Sequence, residues 1–211
     1  MTFDFKAVVI NLIYLGQKNL LYVGLACVLI LSFILDFVAE RASVNYLERQ
    51  AMAAFSRAER VDPAVYLPEM EIAGVDGGLI SIPDKKSFMI IGLWSVRCAA
   101  CLGNLDSFKR LGRMWENVDA DAWRVMAVSV DKPADMGAVS QFIRDYDYRG
   151  VAGYVDVSGR LYDAVKPERL PVTLIVDDKG RILYRLHGAA FWMDSHVLMF
   201  LEYLQEEKSA R

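Results

Sequence analysis

Hydrophobic residues are distributed unevenly along the chain and are densest near its N-terminus. The stretch NLLYVGLACVLILSFILDFVA carries no charged side chain before Asp36. A helix needs about 20 apolar residues to cross the core of a bilayer, whereas a helix buried in a globular domain usually keeps a polar face. The pattern therefore predicts a single membrane-spanning helix over residues 20–39 and an interfacial segment over residues 1–19.

The segment after this apolar run is rich in Ala, Glu and Arg and contains neither Gly nor Pro before Pro63. Apolar residues recur in it at spacings of three and four, at Val44, Leu47, Ala51, Ala54, Ala58 and Val61. The pattern predicts a helical stalk over residues 40–62, either a plain amphipathic helix or a short coiled coil. A coiled coil would associate through residues 44–61 with a second copy or with another membrane subunit. Pro63 is expected to end the helix, because proline disfavours helical geometry in the residue before it.

From residue 63 to residue 211, short apolar runs alternate with amphipathic segments, as in a compact α/β domain. A hairpin is predicted around Asp76-Gly77-Gly78. Buried strands are predicted at SFMIIGLW, WRVMAVSV and VTLIVDD, and a further strand at RILYRLHG. Helices are predicted over residues 99–115, 133–146 and 194–206. This order predicts a mixed sheet with helices on both faces.

The bulk composition narrows the class of partner. The formal net charge is −3 and the isoelectric point is about 5.5, which argues against a nucleic-acid partner, since that would require a basic face. Hydrophobic residues make up 55% of the chain. The N-terminal apolar run accounts for much of this excess, which supports a membrane association.

Two of the three cysteines, Cys98 and Cys101, lie in WSVRCAAC, directly after a predicted buried strand. At a strand-to-helix junction, free backbone N–H groups and the positive end of the helix dipole stabilise a thiolate. Arg97 adds a permanent positive charge beside Cys98. Cys101 follows one helical turn later and within disulfide reach. Thiol–disulfide exchange requires this arrangement, because one thiolate attacks and a second thiol resolves the mixed disulfide.

Other uses of a Cys-x-x-Cys pair fit this sequence less well. Haem attachment needs a histidine directly after the second cysteine, where this chain has Leu102. Structural zinc needs four ligands, and the two histidines, His187 and His196, are too far apart in sequence for such a site. A structural disulfide across two residues closes too short a loop to stabilise the fold appreciably. We therefore expect a redox-active dithiol and no bound metal.

Three segments together resemble the membrane-anchored thioredoxin-like proteins of bacteria of the TlpA/ResA/CcmG type: WSVRCAAC, LPVTLIVDDKGRI and HGAAFW. The resemblance covers roughly residues 65–207. It implies a thioredoxin-like mixed sheet flanked by helices, in the domain predicted over residues 63–211. It also implies that Cys98 is the attacking thiol and Cys101 the resolving thiol, with their disulfide in place of any cofactor.

The resemblance also implies which residues contact the substrate. Trp94 matches the aromatic residue that precedes the active-site loop in this family. Pro171, in Leu170-Pro171-Val172-Thr173, matches the family's cis-proline. In the family, this proline turns the backbone of the preceding residue, here Leu170, towards an extended substrate peptide.

The chain departs from the family at positions that are thought to handle protons. Gly92 stands where thioredoxin carries a buried Asp, and Asn104 stands where ResA-like reductases carry a Glu. The family's common proline is replaced by Asp106. The group that relays protons to Cys101 is therefore unassigned. Arg97 replaces the usual bulky neighbour of the first cysteine, and it either stabilises the thiolate and makes the pair a better oxidant or is a plain solvated side chain.

The resemblance implies a thiol–disulfide oxidoreductase, tethered to the bacterial inner membrane, whose thioredoxin-like domain faces the periplasm. Proteins with oxidised cysteines are found in that compartment. The expected partners are a cysteine-containing exported protein, such as an apocytochrome in cytochrome c biogenesis or a copper-site precursor, and a membrane electron donor of the DsbD/CcdA type. Two alternatives remain open. One is a Cu(I)-handling assembly factor that uses the same thiolates, and the other is a non-catalytic thioredoxin-fold subunit of a membrane complex.

Overall fold

The computed structural model describes residues 5–118 and 122–209, and the chain divides into two compact units, Met1–Tyr46 and Leu47–Arg211. Helix α1, Phe5–Met52, includes the whole N-terminal apolar run. The large apolar side chains described between Leu25 and Val38 are exposed. Among the residues that the structure describes, none of the helices has the length and hydropathy that a membrane crossing demands.

The predicted helical stalk is wrong in its C-terminal part. Helix α1 ends at Met52, and the chain then enters strand β1, Phe55–Tyr66, which pairs antiparallel with strand β8, Arg181–Ala190. Pro63 lies inside β1, after a cis peptide bond, and does not end a helix. Local helix propensity is a weak preference that tertiary pairing overrides. Here the hydrogen bonds to β8 and the burial of Phe55 decide the conformation.

From Leu47 onward, the apolar residues of the predicted stalk pack inside the second unit, which begins before the predicted boundary at residue 63. Ala51 is fully buried in the core of this unit. The same core is covered by partly buried neighbours from the stretch, Leu47, Ala54 and Ala58. The apolar spacings of three and four in this segment therefore come from the end of α1 and from β1, which both pack against the core of the second unit. Association of two chains through residues 44–61 stays a prediction.

A mixed sheet of eight strands forms the centre of the second unit, in the order β1-β8-β7-β4-β5-β6-β2-β3. The strands not yet defined are β2 Met70–Gly74, β3 Leu79–Ile82, β4 Phe88–Trp94, β5 Trp123–Ser129, β6 Tyr154–Val155 and β7 Val172–Val176. β5 runs parallel to both β4 and β6, and the other neighbours pair antiparallel. The predicted mixed sheet is therefore confirmed, and the predicted hairpin corresponds to β2 and β3.

The remaining helices are α2 Ala99–Val118, α3 Met136–Asp145, α4 Arg149–Ala152, α5 Arg160–Val165 and α6 Ser195–Ser209, with a short 3-10 turn at Pro133–Asp135. Sequence analysis did not predict the single turn α4. β4 is buried along its whole length and sends alternate residues into two hydrophobic cores, one on each face of the sheet. α2 covers one of these faces with Cys101, Leu105, Phe108, Leu111 and Trp115.

Candidate active site

Cys98 and Cys101 lie at the junction between β4 and α2. Their sulfurs form a disulfide, and their Cα atoms are 5.3 Å apart. Cys98 directly precedes α2 and is partly exposed, whereas Cys101 lies in the first turn of the helix and is completely buried. The two cysteines therefore differ in burial, with Cys98 the more exposed of the pair. An attacking thiol and a resolving thiol need this difference.

Arg97, the residue before Cys98, forms an ion pair with Asp135. Its guanidinium donates a hydrogen bond to the carboxylate of Asp135, with Nη2 and Oδ1 2.6 Å apart. The Arg97 side chain is 75% exposed, and Asp135 belongs to the 3-10 turn that precedes α3. The positive charge next to Cys98 in the sequence is therefore paired with a carboxylate. Tuning of the thiolate by Arg97 stays a prediction.

A buried aspartate that sequence analysis did not identify lies against the active-site loop, residues 95–97. Asp131 accepts hydrogen bonds from Ser95 Oγ at 2.7 Å, from the backbone N–H of Val96 at 3.0 Å and from Ser129 Oγ at 2.8 Å. Ser95 Oγ in turn accepts a hydrogen bond from the N–H of Arg97 at 3.1 Å. The available signal was an acidic residue just after a buried parallel strand, because ligand-binding and catalytic groups collect at the carboxyl ends of such strands.

Trp94 ends β4 and is almost completely buried. Its ring packs on Phe142 of α3, with the ring centroids 5.4 Å apart. Its indole N–H has no hydrogen-bond partner among the residues that the structure describes. Trp94 thus belongs to the core that supports the active-site loop. Direct contact between Trp94 and a substrate stays a prediction.

An aromatic ring fills the place where thioredoxin carries its buried acid. A Cβ added to Gly92 would lie 2.5 Å from Cε2 of Phe108, so the ring of Phe108 packs directly on the backbone of β4. Thr173 of β7 is the register partner of Gly92, and its buried hydroxyl has no hydrogen-bond partner among the described residues. Residue 92 therefore carries no carboxylate, and the ring of Phe108 leaves no room for one.

The second departure from the family, Asn104, has a structural role. Asn104 is buried, and its Oδ1 accepts a hydrogen bond from the backbone N–H of Ala190 at 2.9 Å, which ties α2 to the end of β8. The third, Asp106, accepts a hydrogen bond from the hydroxyl of Tyr148 at 2.7 Å. Burial, and then this carboxylate, raise the pKa of Tyr148 above its ordinary value. Both polar side chains are thus engaged by neighbouring elements.

The Leu170–Pro171 peptide bond is cis, as the resemblance implied. Pro171 is followed by β7, and Val172 pairs with Leu93 of β4, so the proline lies at the same end of the sheet as Trp94 and the active-site loop. The Pro171 carbonyl accepts a hydrogen bond from the N–H of Gly188 at 2.9 Å. Leu170 is half-buried. The structure therefore brings this loop to the same end of the sheet as the disulfide.

Arg57, a side chain of β1, contacts the loop that precedes the cis-proline. Arg57 of β1 lies 3.2 Å from Nε2 of His187 and 3.6 Å from the carboxylate of Glu168. Glu168 lies two residues before Leu170. This connection could not be predicted from the sequence, because the pattern around Arg57 favours a helix rather than a strand of the sheet. In the described part of the chain, no group of three or more His, Cys, Asp or Glu side chains is arranged to hold a metal ion.

The strand order, the helices and the disulfide at the start of α2 define a thioredoxin-like fold. Solved structures share it. StoA from Bacillus subtilis is 22% identical, with a TM-score of 0.51 over 68% of this chain and 98% of that one. The exposed lipoprotein thioredoxin Etrx1 from Streptococcus pneumoniae strain TIGR4 is 21% identical, with a TM-score of 0.53 over 64% of this chain and 99% of that one.

A third structure, assigned as the thiol:disulfide interchange protein DsbE from Chlorobium tepidum, is 20% identical, with a TM-score of 0.53 over 67% of this chain and 99% of that one. No family model matches the sequence, and no curated protein matches it. At these identities, the likeness shows the fold. The chemistry must be argued from the residues of this chain.

Proposed function

We propose that the protein is a thiol–disulfide oxidoreductase that exchanges its Cys98–Cys101 disulfide with cysteines of another protein. The observation that carries the proposal is a disulfide at the start of α2 that joins a partly exposed cysteine, Cys98, to a completely buried one, Cys101. The N-terminus of a helix stabilises the thiolate that exchange requires. Proteins with the same fold include one assigned as a thiol:disulfide interchange protein.

The exchange proceeds in two displacement steps. In the reducing direction, the Cys98 thiolate attacks one sulfur of a substrate disulfide, forms a mixed disulfide and releases the other substrate sulfur as a thiolate. Cys101 then loses its proton and attacks the Cys98 sulfur, which re-forms the Cys98–Cys101 bond and releases the second substrate sulfur. Two electrons pass to the substrate, and its two sulfurs take up protons. The oxidising direction is the reverse of these steps.

The proposed peptide site is the cis-proline loop beside the disulfide. Leu170 and Pro171 lie at the end of the sheet that carries the active-site loop. An extended substrate peptide bound along the backbone of Leu170 would place its cysteine near Cys98. Arg57, through its contact with Glu168, supports this loop from β1.

We further propose that the N-terminal segment tethers the domain to the bacterial inner membrane, with the domain in the periplasm. The support is the absence of charged residues between Lys18 and Asp36 and the exposed apolar side chains between Leu25 and Val38. One protein of the same fold is described as an exposed lipoprotein. The partners that fit this placement are an exported cysteine-containing protein, such as an apocytochrome or a copper-site precursor, and an electron donor of the DsbD/CcdA type.

A second candidate is a non-catalytic subunit of a membrane complex, which would keep the thioredoxin fold without catalysing thiol–disulfide exchange. The observation in its favour is that Phe108 fills the space at Gly92 and that Asn104 serves to hold Ala190. Neither position therefore offers a carboxylate for proton transfer to Cys101. Cu(I) handling through the two thiolates stays a prediction.

Trapping of a mixed disulfide tests the proposal. Cys27 is a free cysteine, so Cys27→Ser must be made first in the full-length chain. In that background, Cys101→Ala should accumulate a disulfide between Cys98 and a substrate protein. The matched control, Cys98→Ala, leaves only the buried sulfur and should trap little. Reduction of insulin by the wild type measures turnover. Absence of both trapping and turnover would favour the non-catalytic subunit.

A further inference from the structure

We propose that Asp131 is a positioning residue that keeps the Cys98–Cys101 pair strongly reducing. It does so by fixing the active-site loop and by placing a buried negative charge against it. This inference rests on the proposed exchange function. It assigns to a residue outside the Cys-x-x-Cys motif the control of the equilibrium between disulfide and dithiol.

The location of Asp131 follows from the parallel pairing of β4 and β5. Trp94 and Ser129 end the two strands opposite each other, and the N–H of Val130 donates to the carbonyl of Trp94 at 2.9 Å. Asp131 therefore leaves β5 next to the point where residues 95–97 leave β4. Only 7% of Asp131 is exposed, so solvent screens its charge less than it screens a surface charge.

Both oxygens of the Asp131 carboxylate accept hydrogen bonds. Oδ1 accepts from Ser95 Oγ, while Oδ2 accepts from the N–H of Val96 and from Ser129 Oγ. All three partners donate, which suits an ionised carboxylate, an acceptor at every site. Hydrogen bonds to a charged group contribute more stability than hydrogen bonds between neutral groups. The loop is thus held through two consecutive residues by one side chain.

The same loop positions Cys98. The carbonyl of Ser95, whose hydroxyl is bound to Asp131, accepts a hydrogen bond from the N–H of Cys98 at 3.0 Å. Two hydrogen bonds therefore connect the buried carboxylate to the attacking cysteine through one serine. Ser95→Ala breaks this connection and leaves the charge of Asp131, so the two contributions can be separated by substitution.

The charge of Asp131 is not cancelled within the loop. The basic residue of the loop, Arg97, is paired with Asp135, and Lys132, which follows Asp131, is exposed. A negative charge close to Cys98 disfavours its thiolate. The reduced pair contains this thiolate and the disulfide does not, so the carboxylate favours the disulfide and lowers the reduction potential. The Cys98–Cys101 dithiol should therefore donate electrons more readily than it would if the positive charge of Arg97 were the only charge acting on it.

The test compares Asp131→Asn with Ser95→Ala in the full-length, detergent-solubilised protein with Cys27→Ser. Each variant is equilibrated with mixtures of reduced and oxidised glutathione. Asp131→Asn keeps an acceptor oxygen and removes the charge, and it is expected to shift the equilibrium at least tenfold towards the dithiol, about 30 mV for a two-electron couple. Ser95→Ala loses the two hydrogen bonds of its hydroxyl, to Asp131 and from the N–H of Arg97, but leaves the charge of Asp131 in place. A shift of less than threefold is expected.

A second measurement uses the Cys27→Ser protein after reduction and needs no substitution within the site. Cys27 is removed because this exposed cysteine would be alkylated as well. The rate of alkylation of Cys98 as a function of pH reports when its thiolate forms. The midpoint is expected above the value of about 7 known for thioredoxin. A midpoint well below 7, or an Asp131→Asn protein with an unchanged equilibrium, would overturn the inference. In either case insulin reduction by the wild type would still stand as separate evidence for exchange.

Discussion

The ring of Phe108 lies against the backbone of Gly92, where a Cβ would come within 2.5 Å of Cε2. β4 and α2 therefore approach each other more closely than any side chain at residue 92 would allow. The contact lies directly behind the active site, because Cys101 and Phe108 share the buried face of α2. The glycine is thus required by packing, and it also excludes a buried acid at this position.

Gly92→Ala is expected to lower the free energy of unfolding by about 1–3 kcal/mol, the usual cost of overpacking a core. Urea unfolding followed by tryptophan fluorescence measures this effect, since all four tryptophans lie in the second unit. Gly103→Ala is the control. Its Cβ would meet nothing within 4 Å, and alanine is the better helix former, so it should not destabilise. Equal stability of the wild type and Gly92→Ala would contradict the packing argument.

Asn104→Ala should destabilise the domain by removing the acceptor for the buried N–H of Ala190. An unsatisfied buried donor costs about 1–3 kcal/mol, which the same unfolding measurement would detect. Asn117→Ala is the matched control, because Asn117 is exposed and donates to the carbonyl of Arg113 in its own helix. A change within about 0.5 kcal/mol is expected there. If Asn104→Ala were as stable as the control, the hydrogen bond to Ala190 would not hold α2 to β8.

The elements that sequence analysis identified are those whose pattern is local. β4 and β7 are continuous apolar runs, and the hairpin of β2 and β3 is marked by its glycines, so both kinds of element could be predicted. β1 could not, because its Ala, Glu and Arg residues favour a helix when considered alone. Its conformation is decided by pairing with β8, a strand near the other end of the chain. Tertiary contacts of this kind leave no periodic signal in the segment itself.

The candidate site shows the same division. The spacing of Cys98 and Cys101 is visible in the sequence, and the cis-proline at Pro171 follows from the family resemblance. Asp131 could not be identified in this way, since it hydrogen-bonds a serine 36 residues away. That contact exists because β4 and β5 run parallel and end together. Its detection requires the register of the sheet, which no motif in the sequence records.

The domain is expected to lose stability at alkaline pH as the hydroxyl of Tyr184 ionises. Its hydroxyl donates to Glu48 at 2.6 Å. Burial, followed by this hydrogen bond and the negative charge of Glu48, raises the pKa of Tyr184 above its ordinary value of 10.0. Because the folded state binds this proton more tightly, the stabilisation is complete below about pH 10 and is lost as pH rises further.

Unfolding midpoints in urea at pH 8 and pH 11 would show this loss. Tyr184→Phe should be less stable than the wild type at pH 8, because it lacks the hydrogen bond, but should lose less stability between the two pH values. Tyr66→Phe, which alters an exposed tyrosine, serves as the control and should follow the wild type. A Tyr184→Phe protein with the same alkaline loss as the wild type would show that another group controls it.

Arg97→Ala should change the reduction potential of the pair less than Asp131→Asn does. The guanidinium is exposed and already paired with Asp135, and an exposed ion pair is worth only about 0–1 kcal/mol. Equilibration with glutathione should therefore place Arg97→Ala within about threefold of the wild type. Asp135→Asn frees Arg97 to act on the Cys98 thiolate and should move the equilibrium towards the dithiol. A tenfold or larger shift in Arg97→Ala would instead make the arginine, not the buried aspartate, the main determinant of the potential.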